Sequence, residues 1–119
     1  MSAPTILVVE DEVLVRLMIA RHLRETGFRV IEACHAGEAL DALESDETID
    51  LLFTDVLMPG VMNGIMLARW VTQNRPEMPV LLTSACSDFA QNLPDERLFV
   101  KPYDPETVEA HIRHLLGEH

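Results

Sequence analysis

At 119 residues, with 48% apolar side chains, the chain is long enough for one domain whose core needs neither disulfides nor a structural metal. Twenty acidic against nine basic residues give a formal charge of −11, a field that repels phosphate backbones and anionic membranes, so direct nucleic-acid or membrane binding is not expected. Cys34 and Cys86 are not spaced as a metal pair, no signal peptide opens the chain and no apolar run reaches membrane-spanning length, so a reduced, cytoplasmic domain over residues 1–119 is expected.

Thr5-Ile6-Leu7-Val8-Val9 is β-branched and apolar and predicts a first buried strand, which ends in Glu10-Asp11-Glu12. A helix follows from Val13, with Leu14, Leu17 and Met18 as its apolar stripe and Gly27 as its closing residue, against which Phe28 can pack back. Phe28 to Glu32 is a second strand, and Ala36 to Glu44 a short helix with Ala39, Leu40 and Leu43 inward. Leu51-Leu52-Phe53 is a continuous apolar run that suits a strand buried on both faces; it stops at Thr54-Asp55, and Pro59-Gly60 forces a turn. Ile65 to Asn74 carries a helical stripe at Ile65, Ala68 and Val71, with Trp70 off that stripe. Val80 to Ser84 is a fourth strand. Residues 85–96 show weak periodicity and hold at best one helical turn. Arg97 to Val100 is a fifth strand running into Lys101-Pro102, and Asp104 caps a last helix with Pro105 at its first position and Val108, Ile112, Leu115 and Leu116 as its stripe.

Strands alternating with helices through short connections imply parallel βαβ units with right-handed crossovers, and strands apolar throughout require helices on both faces. In such a sheet the carboxyl ends of the strands share one edge, where open α/β sheets hold their ligands. That edge would gather Glu10, Asp11, Asp55, Ser84 and Lys101. Three carboxylates brought together repel unless a cation sits among them, and oxygen-only ligands favour Mg²⁺. Asp55 as nucleophile would then form an aspartyl phosphate, with Lys101 and Ser84 serving two further phosphoryl oxygens.

The residues Val9-Glu10-Asp11-Glu12, Thr54-Asp55-Val56-Leu57-Met58-Pro59-Gly60, Thr83-Ser84-Ala85 and Lys101-Pro102-Tyr103 together resemble the receiver domain of two-component response regulators, from the first strand to the last helix. The resemblance implies a flavodoxin-like, doubly wound five-stranded parallel sheet of order 2-1-3-4-5. It implies that Asp55 accepts a phosphoryl group from the phosphohistidine of a sensor histidine kinase or phosphotransfer protein. Asp11 and Asp55 would be Mg²⁺ ligands with the backbone carbonyl of Leu57, and Glu10 would act through water. Ser84 would be the switch hydroxyl, Lys101 would pair with the acids, and the Lys101-Pro102 bond would be cis.

Three features depart from the family pattern. The first acidic pair is Glu-Asp rather than Asp-Asp, Leu98 stands where an aromatic switch residue is usual, and the stretch between Ser84 and Lys101 is short, as in stand-alone receivers whose helix there is reduced or replaced by a loop. Phosphorylation is therefore expected to order residues 85–96 through Ser84, and the chain to act alone through protein contacts, with a kinase docking on the first helix near Val13, Leu14 and Leu17. No enzyme activity beyond slow self-dephosphorylation is expected. A Mg²⁺-dependent phosphatase is the alternative, although Leu57 replaces the usual general acid; a receiver-like adaptor that is never phosphorylated is another. His22, His35, His111, His114 and His119 show no ligand spacing with the acids and are expected at the solvated surface, and the methionines as core filler.

Overall fold

A computed structural model describes residues 3–56, 63–84 and 98–117. Its elements are β1 (Thr5–Val9), α1 (Val13–Glu25), β2 (Arg29–Ala33), α2 (Ala36–Glu44), β3 (Leu51–Asp55), α3 (Gly64–Asn74), β4 (Val80–Ser84), β5 (Leu98–Val100) and α4 (Pro105–Leu115). The strands form one parallel sheet in the order β2-β1-β3-β4-β5. The expected architecture and strand order stand. The segment 85–96, with its expected turn of helix, lies outside the described residues.

Side-chain alternation along each strand divides the core in two. Ile6, Val8, Leu51, Phe53 and Leu81 meet Ile19 and Leu23 of α1 and Val108 and Ile112 of α4. Leu7, Val9, Leu52 and Leu82 point the other way and meet Ala39 and Leu43 of α2 and Leu67 and Val71 of α3. A strand between two such layers needs an apolar side chain at every position, which is why β1 and β3 read as unbroken apolar runs.

The helix ends follow their local chemistry. Past α1, the Gly27 amide donates to Arg24 O and the Phe28 amide to Leu23 O, a paired closure that needs the positive φ of 106° at Gly27. Phe28 is buried beneath it, and the Arg113 guanidinium of α4 lies 4.5 Å from its ring centroid. Asn63 and Asp104 cap α3 and α4 through Met66 N and Glu106 N. The Lys101-Pro102 bond is cis, as expected.

Several expectations are corrected. The methionines are not uniformly core filler: Met78 is buried, but Met18 and Met66 are 46% and 41% exposed. The stripe Leu14, Leu17 and Met18 of α1 does not face the sheet: the three residues are exposed, Leu14 to 82%, and the buried face is Ile19, Ala20 and Leu23. Continued back one turn, the inner face carries Arg16, whose charge hides it from an apolar periodicity count; its guanidinium is consumed by Glu10 O at 3.0 Å and Glu32 Oε1 at 3.3 Å. His111 is not a solvated surface residue either. It packs edge-on to Phe99 at 5.5 Å, with its Nε2 buried, because α4 turns that position toward β5. In α3, Leu67 joins Val71 in the buried face, with Ile65 and Ala68 at its margin.

Candidate functional site

β1 and β3 are neighbours in register, Val9 opposite Thr54, so Glu10 and Asp55 emerge side by side from the carboxyl edge. The amide of Glu10 is tied to Ala33 O at 3.0 Å, and the Arg16 bond to Glu10 O fixes the following peptide from the helix side. Carboxylate oxygens of Glu10, Asp11 and Asp55 lie within 4.8 Å of one another, with Glu10 and Asp55 buried and Asp11 exposed. A cation can thus be reached from solvent through Asp11 while two buried acids hold it from below.

Lys101 comes from the end of β5. Its backbone amide donates to Ser84 O at 2.8 Å, and its ammonium reaches Glu10 Oε1 at 2.5 Å, Asp55 Oδ2 at 3.0 Å and Glu12 Oε1 at 3.7 Å. Burial alone would lower the Lys101 pKa, but bonds to Glu10 and Asp55 outweigh it and hold the ammonium above its usual range. Burial pushes the Glu10 carboxyl from 4.5 up to about 7, against the opposing pull of Lys101 and the Glu12 amide. One ammonium faces three close carboxylates, so the pocket carries surplus negative charge. That surplus, on oxygen donors alone, fits Mg²⁺: Glu10, Asp11 and Asp55 would hold it, directly or through water. The Leu57 carbonyl, expected as a further ligand, lies outside the described residues.

Ser84 ends β4 fully buried at the same edge, one residue beyond the partner of Asp55, since Asp55 pairs with Thr83. Leu98 packs against the α2–α3 layer, and the aromatic ring of β5 belongs instead to Phe99, on the α1–α4 layer. The structure also brings in residues that sequence reasoning left out. Gly64 begins α3 directly over β3: a Cβ there would stand 1.9 Å from Asp55 O, and its amide donates to Val56 O at 2.8 Å. Only a residue without a side chain lets α3 start so close to β3. The Asn63-Gly64 pair reads as a turn in sequence, and nothing in it marks the approach to Asp55. Arg16 was likewise invisible, for the reason given above.

The pattern of the response regulator receiver domain matches residues 6–113. The sensor kinase CckA of Brucella abortus is 32% identical over 121 residues, which cover 97% of this chain and 13% of that protein. The chain likewise spans 53% of the uncharacterized transcriptional regulatory protein YbdJ of Bacillus subtilis, at 28% identity. Among solved structures, a response regulator receiver protein from Sinorhizobium medicae WSM419 superposes with a TM-score of 0.87 at 29% identity, covering 97% of this chain and 95% of that one. Response regulator protein TrrA of Thermotoga maritima, in complex with Mg(2+)-BeF, superposes with a TM-score of 0.83 at 25% identity, covering 94% of this chain and 98% of that one. With the match running through nearly the whole fold, the chain belongs to the response regulator receiver domain family of two-component systems.

Proposed function

We propose that the chain is a phosphoryl acceptor: Asp55 takes a phosphoryl group from a phosphohistidine on a sensor kinase or phosphotransfer protein, in a Mg²⁺-dependent step. The observation that carries this is the convergence of Glu10, Asp11 and Asp55 around one reachable point, with Lys101 bonded to Asp55 Oδ2 at 3.0 Å. In the transfer an Asp55 oxygen forms the new O–P bond while the P–N bond of the donor breaks and its electron pair stays on the imidazole. Lys101 occupies Oδ2, which leaves Oδ1 as the attacking atom. The bound Mg²⁺ supplies neutralisation of the phosphoryl charge. Lys101 and Ser84 then serve the remaining oxygens, and the protein's work is positioning rather than proton transfer.

Other observations support a kinase partner. The exposed apolar residues Val13, Leu14, Leu17 and Met18 of α1 follow directly on the acidic edge, and Leu14, Leu17 and Met18 share a groove with Pro105, rimmed by Arg21, His22 and Glu25. An apolar patch with a charged rim is the signature of a protein-docking face. The matched segment of CckA belongs to a protein named as a sensor kinase. We place the exchange in the cytoplasm, consistent with the free thiol of Cys34. Leu57 and Cys86, two and two residues beyond Asp55 and Ser84, carry no group that orients an attacking water, so self-dephosphorylation is slow and the chain is not a phosphatase.

Mass spectrometry after incubation with acetyl phosphate tests the reading. The parent chain gains one phosphoryl group with Mg²⁺ and none when Mg²⁺ is chelated, and Asp55→Asn gains none under either condition. Intact labelling of Asp55→Asn, or labelling indifferent to chelation, would overturn it. A parent chain that is never labelled, by acetyl phosphate or by kinase, would favour the adaptor reading.

A further inference from the structure

A second set of ligating side chains, sharing no residue with the carboxylate pocket, gathers where β2 runs into α2, on the strand next to the one that carries Glu10. Cys34, His35 and Glu38 offer a sulfur, an imidazole nitrogen and a carboxylate oxygen, all within 4.8 Å of one another. Cys34 Sγ donates to Glu38 Oε1 at 2.7 Å, and the same oxygen accepts the Cys34 backbone amide at 2.8 Å. His35 Nδ1 accepts the Glu38 amide at 3.2 Å. Part of this is a helix cap: an N-cap side chain on the amide three residues later, with that residue's side chain reaching back. The cap accounts for His35 and Glu38. It has no use for the Cys34 thiol, which shares the oxygen that the Cys34 amide already holds.

The donor mixture narrows the ligand. Hard cations such as Mg²⁺ and Ca²⁺ take oxygen, whereas thiolate, imidazole and carboxylate together suit Zn²⁺ and its transition-metal neighbours. Tetrahedral zinc with bonds of about 2.0 to 2.3 Å separates its ligand atoms by roughly 3.3 to 3.8 Å. Atoms already within 4.8 Å of one another need to shift by only about an ångström to reach that spacing, the thiol–carboxylate pair opening from 2.7 Å. The ion takes the place of the proton now shared between Sγ and Oε1, and the Glu38 amide, at an exposed helix start, turns to solvent when Nδ1 becomes a ligand. His35 and Glu38 are exposed and Cys34 half-buried, so an ion has a path in and water can fill the fourth position. We propose that Cys34, His35 and Glu38 form a zinc-class metal site with an open fourth position, separate from the carboxylate pocket at Asp55.

Cobalt is the probe. The full chain, reduced and with Mg²⁺ in excess so that the carboxylate pocket is already served, is titrated with Co²⁺ and then Zn²⁺. The expected result is a thiolate-to-cobalt charge-transfer band that saturates at one equivalent and disappears as Zn²⁺ displaces the cobalt. The band persists in Cys86→Ser and is lost in Cys34→Ser. His35→Asn, which keeps a good N-cap residue and so the helix, binds Zn²⁺ more than about tenfold more weakly, as does Glu38→Gln. A band that survives Cys34→Ser, the absence of any band in the parent, or an unchanged Zn²⁺ affinity in His35→Asn would each overturn the site. Because Asp55→Asn leaves these three residues untouched, its Co²⁺ titration should match the parent's, and failure of the phosphoryl-acceptor reading would leave this result standing.

Discussion

The two edges of the sheet treat their acids differently. At the amino edge Asp50 accepts the Thr5 amide at 2.8 Å while its own amide donates to Thr5 O at 2.8 Å, and Arg29 N and Leu52 N are tied to Pro4 O and Pro79 O. Every one of those contacts closes a backbone group that would otherwise be left open where a strand begins. At the carboxyl edge three carboxylates crowd within 4.8 Å of one another, with a single ammonium among them. A cluster that one ammonium compensates only in part raises the free energy of the folded chain, whereas the amino edge lowers it. The difference separates acids that hold the fold from acids held by it, and neutralising an acid should act in opposite senses at the two edges.

The largest effect is expected at Gly64. A methyl group there meets the backbone of Asp55 rather than a side chain that could swing away, so Gly64→Ala must displace either the start of α3 or the acceptor strand. We expect a loss of at least about 3 kcal/mol in chemical denaturation, with phosphoryl labelling falling in parallel. Retention of both would mean that the acceptor strand tolerates displacement and that its position matters less than the geometry says.

Next comes the carboxyl edge's own pH dependence. Burial raises the folded-state pKa of Glu10 to about 7 from an ordinary 4.5, so between those values the folded chain holds a proton that the unfolded chain has released. Stability contributed by that proton is therefore complete below about pH 4.5 and is lost as the pH rises through about 7, by about 2 to 3 kcal/mol in the absence of Mg²⁺. Urea titrations of Mg²⁺-free protein across this window should show the fall. Glu10→Gln should flatten it, since glutamine has no proton to lose and Lys101 keeps Asp55 as partner at 3.0 Å. Added Mg²⁺ should also flatten it, by supplying positive charge where the proton was. A slope unchanged in Glu10→Gln would move its origin elsewhere.

The amino edge supplies the contrast. Asp50→Ala leaves the Thr5 amide without its acceptor at the start of a buried strand, a loss of about 1 to 2 kcal/mol, with phosphoryl labelling unchanged. A variant that lost labelling while remaining folded would break the division between the edges.

How far this division could be read from sequence depends on the residue. Glu10, Asp11, Asp55 and Lys101 were legible because each follows an apolar strand whose end is unmistakable, and a parallel sheet brings all such ends to one edge. The helices were legible in extent, since Gly27, Asn63 and Asp104-Pro105 mark their limits chemically. What stayed hidden was anything set by two elements approaching each other. Gly64 matters through a backbone oxygen nine residues earlier, and Arg16 lies on a buried face because Glu10 O and Glu32 absorb its charge. Neither partner can be inferred from local spacing. The metal-class trio at Cys34, His35 and Glu38 escaped for a related reason: a search for histidines paired with the strand-end acids does not test a glutamate one helical turn along.

The misread face of α1 yields the smallest stability effect and the sharpest functional separation. Apolar residues occur on both sides of this helix, and periodicity alone could not choose between the stripe at Leu14, Leu17 and Met18 and the one at Ile19, Ala20 and Leu23. The sheet takes the second. The first is left at the surface, Leu17 at 48% exposure, so Leu17→Gln removes little buried contact and should change stability by less than about 0.5 kcal/mol. If this face receives the kinase, the same substitution slows transfer from phosphohistidine while labelling by acetyl phosphate, which needs no docking, proceeds at the parent rate. Equal slowing with both donors would place the defect in the pocket rather than on the face. Equal rates with both would send the kinase to another surface, and Leu14, Leu17 and Met18 would then be exposed for a reason unconnected with phosphoryl transfer.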